Sequence, residues 1–188
     1  MKYILSCLCL VLGLYINTSA QKIDLSEGFN QLLIDAQMEF VYPLEAGYKD
    51  IPVYRNGFQR YDYAIRSRKE KLEIRYIIVP YEEHNPKTHF PQVGSMRMLT
   101  NLASNNQDLL VTGLDIEAEQ LKEEFNADWG KVFFFQPKAG FSRKLHCKML
   151  ALHKEGKGTA YVFFLFDDPG RALDHRFLAL RYSDDFPN

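Results

Sequence analysis

Residues 58–80 carry the clearest alternation of hydrophobic and polar positions in the chain. In "LEIRYIIVP" (72–80), Leu72, Ile74, Tyr76 and Ile78 fall on one face of a strand. Glu73 and Arg75 fall on the opposite face, which predicts that this side is partly wet or ion-paired. The charged "SRKEK" (67–71) before it is typical of a turn, and the whole stretch predicts a β-hairpin.

The first half of that hairpin, "FQRYDYAIR" (58–66), follows the same period. The alternation predicts one buried side and one polar side. The buried side takes Phe58, Tyr61, Tyr63 and Ile65, and the polar side takes Asp62 and Arg66.

Three further strands are predicted late in the chain, over residues 131–137, 144–153 and 158–168. In "GTAYVFFLFDD" (158–168), hydrophobic side chains occupy both faces. A strand that is apolar on both faces needs cover on both faces. The sequence therefore predicts that helices pack on both sides of a central sheet.

Helical spacing marks three segments between and before these strands. Residues 25–37 place Phe29, Leu32 and Leu33 inward behind Ser26 as N-cap. The other two segments are 94–106 and 115–128. The first has Met96, Leu99, Leu102 and Ala103 inward, and the second begins at Asp115 with Leu114, Ala118, Leu121 and Phe125 on one stripe.

The start and the end of this pattern are less regular. Residues 38–42 are predicted to form a strand that Pro43 stops, and a turn-rich stretch follows over 43–57. Asp168-Pro169 favours a terminal helix with Leu173, Phe177 and Leu180 on its inner stripe. "RFLALRY" (176–182) also alternates, so helix and strand both stay open for 170–183.

Together these elements predict an α+β fold: an α/β/α sandwich around a mostly antiparallel central sheet. The chain shows no internal repeat and no Gly/Ser-rich linker. We expect a single domain over residues 21–188.

Residues 1–20 have the layout of a cleavable signal peptide. Lys2 precedes an apolar stretch from Tyr3 to Ile16, and small residues lead to Ala20. That stretch is shorter than the roughly 20 residues of a membrane span. We expect cleavage after Ala20, a periplasmic or secreted product, and no stable membrane span afterwards. "ILSC" ending at Cys7 resembles a lipobox, but it comes before the apolar core ends, which disfavours a lipoprotein.

The net charge and the cysteine content argue against nucleic-acid binding and against an internal disulfide. The net charge is −1, and cleavage would remove Lys2, so no basic excess favours binding of nucleic acid. Cys7 and Cys9 would leave with the signal segment. Cys147 is then the last cysteine, and an internal disulfide cannot form.

Gly156-Lys157-Gly158-Thr159 resembles the end of a phosphate-binding loop. Such a loop needs a helix after it, whereas the residues after Thr159 favour a strand. We therefore predict a hairpin turn in which Gly156 or Gly158 takes a positive φ.

His84 and His89 are the candidate metal ligands, with Glu82 and Glu83 beside them. Their spacing matches no specific metal motif, so we expect a solvated loop and predict no metal or cofactor. His146 and His153 lie seven residues apart and should face opposite sides of a strand. By the same alternation His146 and Cys147 should not form a nucleophile pair, and Cys147 is predicted to be a small buried residue.

Other polar groups form no catalytic set in the sequence. Asp167-Asp168 is predicted to be a cap, Asp184-Asp185 to be solvated, and Ser142 with His146 shows no sign of activation. Exposed tyrosines could form a recognition surface; the candidates are Tyr48, Tyr54 and Tyr81.

The order of elements resembles the PsbP-like (Mog/PsbP fold) family of small exported bacterial proteins. The similar segments are "MEFVYPLEAGYKD" (38–50), "YDYAIRSRKEKLEIRYIIVP" (61–80) and the late strands leading to the C-terminal segment, over roughly 38–183. The likeness is loosest over 25–37 and 43–57. It implies a non-enzymatic fold that docks on protein partners or small ligands, and it transfers no site residue.

Three functional hypotheses follow. The leading one is an exported, non-enzymatic binding protein of a bacterial envelope whose partner is another envelope protein. The second is a metal-dependent hydrolase that uses the 82–89 loop. The third is a small-ligand carrier with a cleft between the sheet and the 43–57 loop.

Overall fold

The computed structural model describes residues 25–40, 47–85, 88–106, 110–168 and 180–184. The helices are α1 (Glu27–Asp35), α2 (Pro91–Leu102) and the short α3 (Ala118–Gln120), which continues into a π-helical turn at Leu121–Phe125. The strands are β1 (Met38–Phe40), β2 (Tyr48–Asp50), β3 (Tyr63–Ser67), β4 (Leu72–Pro80), β5 (Thr112–Asp115), β6 (Trp129–Phe135), β7 (His146–Lys154), β8 (Gly158–Phe166) and β9 (Leu180–Tyr182).

Seven of these strands form one antiparallel sheet in the order β2-β3-β4-β8-β7-β6-β5. It consists of two meanders, β2-β3-β4 and β5-β6-β7-β8, whose last strands pair with Tyr76 opposite Val162. The predicted antiparallel sheet made from two hairpin groups is confirmed.

Each face of the sheet has its own hydrophobic core. Val162 and Phe164 of β8 lie in the core that α1 and β1 cover. Phe163 and Leu165, which point the other way, lie in the core beneath α2. All nine residues of β8 are buried, so the expectation of cover on both faces is confirmed.

Strand β9 pairs with β1 in a separate two-stranded sheet, with Met38 opposite Tyr182. Of the two conformations open for 170–183, Leu180–Tyr182 adopts the strand, because it pairs with β1, and not the favoured terminal helix. Its remaining length, 169–179, lies outside the described residues.

Two of the predicted helices are present with changed details. Ser26 occupies the N-cap of α1, but its carbonyl oxygen, and not its side chain, accepts the first hydrogen bonds. Helix α2 begins at Pro91, three residues before the predicted start, and its buried face contains Ser95, Met98, Leu99 and Leu102. Met96 lies outside that arc and is exposed, which corrects the prediction that it points inward.

The predicted helix over 115–128 is wrong in its first part. Asp115 ends strand β5, where it lies opposite Lys131, and Leu114 is exposed. Backbone pairing with β6 outweighs the capping preference of Asp115. Helical structure begins only at Ala118, and Asn126 ends it in the left-handed conformation at φ +48°.

The alternation over 58–66 also stops earlier than predicted. Regular strand begins at Tyr63, so Tyr61 faces the α2 core while Tyr63 and Ile65 face the α1 core. Phe58 lies in a turn and is exposed. The period of two fails here because the residues before Tyr63 are not in a strand.

Residues 154–158 form the hairpin turn that the sequence predicts. Both Gly156 and Gly158 have positive φ, +71° and +121°, and strand β8 follows directly. The backbone geometry is that of a β-turn between two paired strands. No described helix is long and apolar enough to cross a membrane.

Two buried tyrosines give a matched test of the core. The Tyr76 hydroxyl is fully buried and has no hydrogen-bond partner among the described residues. The Tyr182 hydroxyl lies 2.8 Å from the Gly158 carbonyl oxygen and 3.1 Å from that of Leu152. Burial raises the pKa of both phenols.

We expect Tyr76→Phe to raise the free energy of unfolding by about 1 kcal/mol, because it removes an unpaired buried polar group. Tyr182→Phe should lower it by a similar amount, because it leaves carbonyl oxygens without a donor. Urea denaturation of both variants measures the difference. A loss of stability in Tyr76→Phe equal to that in Tyr182→Phe would contradict this assignment.

Candidate functional site

A cleft of about 900 Å³ opens at the end of the sheet where β3 turns into β4. Its walls are the β3–β4 turn, the loop over 139–144 and one residue of the 51–62 segment. The lining residues are Tyr54, Arg66, Ser67, Arg68, Lys71, Leu72, Glu73, Arg75, Ala139, Phe141, Ser142, Arg143, Lys144 and Asp167. We call this the cationic cleft, because its lining contains six basic side chains and two carboxylates.

The floor of the cationic cleft is a buried ion cluster on β4. Alternation along the strand turns Glu73 and Arg75 away from the α1 core, as the sequence predicts. One Glu73 oxygen accepts hydrogen bonds of 2.8 and 2.6 Å from Arg75. The other accepts bonds of 3.1 and 2.7 Å from Arg66. Both carboxylate oxygens are therefore satisfied by guanidinium groups.

Arg75 also fixes the wall of the cleft. Its guanidinium lies between the Tyr61 and Phe141 rings, 4.6 and 4.7 Å from their centroids. Its remaining terminal nitrogen donates a 2.5 Å hydrogen bond to the Phe141 carbonyl oxygen. Cation–π contact and hydrogen bonding together tie the 139–144 loop to the sheet.

Lys138 anchors the same loop to the C-terminus of α2. Its backbone N–H donates to the Leu102 carbonyl oxygen at 2.7 Å. Its ammonium donates to the carbonyl oxygens of Thr100 and Asn101 at 2.9 and 3.0 Å. A cation at a helix C-terminus compensates the helix dipole. The loop is thus held at Lys138 and at Phe141.

The far wall of the cleft is closed by an ion pair. The Lys144 ammonium lies 2.7 Å from an Asp167 carboxylate oxygen, and the Leu145 N–H donates to the other oxygen at 3.2 Å. The hydrogen bond from Lys144 is the main reason why the pKa of Asp167 is lowered. Asp167 is therefore ionised at neutral pH and neutralises Lys144.

Three basic side chains of the lining take no part in the ion pairs described above. Arg68, Lys71 and Arg143 are exposed, and within the described ranges none of their side chains forms an ion pair. The chain as a whole carries a net charge of −1. The cleft is therefore locally positive in a chain that is nearly neutral overall, and a positive surface attracts anions.

In the part of the chain that the structure describes, the lining contains no residue of α1, α2 or α3, so none of these helix N-termini faces the cleft. Arginine forks bind carboxylate or phosphate oxygens in pairs, and lysine acts as a point charge. The arrangement suits a ligand with several anionic groups, bound by side chains from opposite walls.

The histidines of the 82–89 loop lie elsewhere. His84 and His89 are both exposed, and His89 packs beside Tyr81 with ring centroids 4.9 Å apart. Among the described residues, no group of three His, Cys, Asp or Glu side chains could hold a metal ion. The metal hypothesis for His84 and His89 stays a prediction from sequence.

His146 and His153 lie on opposite faces of β7, as the alternation predicts. His146 stacks on Phe166 with ring centroids 5.5 Å apart, whereas His153 is buried on the other face and bonds to Thr159 at 2.9 Å. Cys147 is a buried free thiol. Burial raises the pKa of that thiol, which leaves it protonated and unreactive at neutral pH.

Of the remaining polar candidates, Ser142 and Asp184 form hydrogen bonds with described neighbours. The Ser142 hydroxyl oxygen accepts a hydrogen bond from the Lys144 N–H at 3.1 Å. Asp184 accepts bonds of 2.9 Å from Lys157 and from Asn126, and the bond from Lys157 is the largest cause of its lowered pKa. Asp168 is exposed, and Asp185 lies outside the described residues.

The three candidate tyrosines differ in exposure. Tyr48 is buried and hydrogen-bonded to Glu70, and Tyr81 is half-buried. Tyr54 is 61% exposed and lines the cationic cleft.

Reasoning from the sequence missed the basic residues of the cleft. The signal lies in two short clusters, "SRKEK" (67–71) and "SRK" (142–144), about 70 positions apart. Each is typical of an ordinary charged loop. Only the pairing of β4, β8 and β7 brings the two clusters to one end of the sheet.

Comparison with family models, curated proteins and solved structures finds no match to this chain. The proposed function therefore rests on the geometry of the cationic cleft.

Proposed function

We propose that the protein is an exported, non-enzymatic binding protein that holds an anionic ligand in the cationic cleft. The observation that supports this proposal is the set of three cations that form no ion pair with a described residue, above a floor whose charges are already satisfied. A rigid floor and a positive rim are what recognition of an anion requires.

The state of the ionisable groups favours binding over catalysis. General acid–base catalysis needs a group that titrates near neutral pH and can reach a substrate. Among the described residues, the lining has no histidine or cysteine, and both Glu73 oxygens are occupied by guanidinium groups. Asp167 is likewise held by Lys144.

Export is the part of the proposal that rests on sequence. The segment over 1–20 has a basic start, an apolar stretch and a small-residue end, as a cleaved signal peptide does. A periplasmic or secreted site of action follows, and resemblance to the PsbP-like family agrees with a non-enzymatic role. A small-ligand carrier is the nearest alternative, because Tyr54 of the 43–57 stretch lines the cleft.

We expect a double charge reversal across the cleft, Lys71→Glu/Arg143→Glu, to weaken binding of a fluorescein-labelled decaglutamate about 20-fold at low salt. The factor corresponds to roughly 0.9 kcal/mol for each reversed charge. Fluorescence anisotropy measures the dissociation constant, and raising the salt should weaken binding to the wild type as well.

The matched control is Arg97→Glu/Lys122→Glu, which reverses one arginine and one lysine that are exposed but do not line the cleft. This variant changes the net charge by the same amount and should bind nearly as the wild type does. Equal weakening in the two variants would show that net charge alone attracts the anion, and the proposal would fail.

A further inference from the structure

We propose that the occupant of the cationic cleft is an acidic segment of a partner protein that also places an apolar side chain on the cleft's edge. This inference rests on the proposed function and adds the class of ligand. Its basis is a second surface beside the cleft, formed by Val53, Tyr54 and Phe58, which we call the aromatic ridge.

The aromatic ridge is an exposed apolar surface. Val53, Tyr54 and Phe58 are 42%, 61% and 42% exposed. The ridge is continuous with the cleft, since Tyr54 lines it and Phe58 packs against Gly140 in the opposite wall. Clustered aromatic side chains next to arginines are typical of the central residues of protein interfaces.

The ridge is held in one conformation before any ligand binds. The Asn56 side-chain oxygen accepts hydrogen bonds from the N–H groups of Phe58 and Gln59, at 3.0 and 2.9 Å. The Tyr54 N–H donates to the Tyr61 hydroxyl at 2.9 Å. A preorganised surface loses little conformational entropy when it binds.

Charge complementarity indicates the sign of the partner. The segment over 52–61, "PVYRNGFQRY", contains two arginines and no acidic residue. Arg55 is exposed on it and extends the positive field from the cleft to the ridge. An occupant that covers both surfaces therefore needs carboxylates together with at least one apolar group.

An acidic peptide segment satisfies both requirements. A free phosphate is far smaller than the 900 Å³ cleft and would leave the ridge uncovered. An anionic polysaccharide supplies the charges but has no aliphatic side chain for the ridge. A polypeptide carries both kinds of group at short spacing.

The test compares two fluorescein-labelled peptides of 11 residues with five glutamates each. In the first, all other residues are serine or glycine; in the second, two of these are leucine. We expect the leucine peptide to bind the wild type about tenfold more tightly, as partial burial of one or two apolar side chains allows. Val53→Ser, at a ridge residue that does not line the cleft, should remove most of this gain and leave the affinity for the serine peptide nearly unchanged.

Val93→Ser is the matched control, because Val93 is 68% exposed on α2 and does not line the cleft. It should keep the tenfold gain. Thermal unfolding followed by circular dichroism verifies that both variants are folded, which their exposed positions lead us to expect.

Three results would overturn the inference: equal affinity for the two peptides, a gain that survives Val53→Ser in full, or tighter binding of a heparin fragment of equal charge. In each case the serine peptide's response to Lys71→Glu/Arg143→Glu reports separately on the proposed function. If that response is present, anion binding at the cleft stands and only the peptide assignment falls. If it is absent, the proposed function falls too.

Discussion

Replacing Arg75 with alanine is expected to lower the free energy of unfolding by about 3–5 kcal/mol, the usual cost of removing one partner from a buried ion pair. The side chain of Glu73 is only 7% exposed and would keep a single guanidinium partner. The Phe141 carbonyl oxygen would lose its donor, and the space between the Tyr61 and Phe141 rings would be empty.

Arg66→Ala serves as the control for this effect. The Arg66 side chain is 48% exposed, so its ion pair with Glu73 should contribute no more than about 1 kcal/mol. Urea denaturation of both variants gives the comparison. If the two variants lose the same stability, Arg75 is not the residue that holds the cleft together.

A second variant, Glu73→Leu/Arg75→Met, separates charge from packing. Replacing a whole buried pair by apolar residues is often nearly neutral, so much of the stability lost in Arg75→Ala should return. The double variant is thus expected to fold while it lacks the charged floor of the cleft.

Gly158→Ala is expected to destabilise the protein by about 3 kcal/mol or more, from backbone strain and steric overlap together. The φ of Gly158 is +121°, a conformation that residues with a side chain rarely adopt. An added Cβ would also overlap the Val79 carbonyl oxygen, which belongs to the neighbouring strand β4. Neither the backbone of β4 nor that of β8 can move without disturbing their pairing.

Gly156→Ala is the matched control in the same turn. Gly156 has φ +71°, and nothing lies within 4 Å of the position of an added Cβ. Only the conformational cost of a left-handed residue remains, about 1–2 kcal/mol. Thermal unfolding distinguishes the two, and a loss in Gly156→Ala as large as in Gly158→Ala would contradict the steric argument.

The parts of the fold that the sequence predicted are those governed by local period. Strands β4, β7 and β8 have strong alternation or continuous apolar runs, and their positions match the prediction closely. The burial of β8 on both faces followed from its composition alone. These features depend on which face of a strand each side chain occupies.

The errors arose where distant backbone pairing decided the conformation. Asp115 is extended because it lies opposite Lys131, and Leu180 because it lies opposite Phe40. Neither partner could be identified from the sequence around these residues. A capping preference near 1 kcal/mol is easily outweighed by pairing with a strand.

The cationic cleft escaped prediction for the same reason. The alternation of Glu73 and Arg75 predicted that this face of β4 is partly wet or ion-paired, but the wall that covers it comes from the loop over 139–144. Arg75 lies opposite Phe163 in the sheet, and the Phe163 ring contacts Phe141 in a T-shaped arrangement at 5.5 Å. This register brings Arg143 and Lys71 to the same cleft.

The anion site is expected at the cationic cleft, and an NMR titration can locate it directly. Unlabelled decaglutamate is added to the ¹⁵N-labelled protein, and backbone amide shifts are followed. We predict that the largest changes fall within residues 66–72 and 139–145 and at Tyr54, and that Lys71→Glu/Arg143→Glu suppresses them. Changes centred on the 82–89 loop or on β5, with the cleft unaffected, would contradict it.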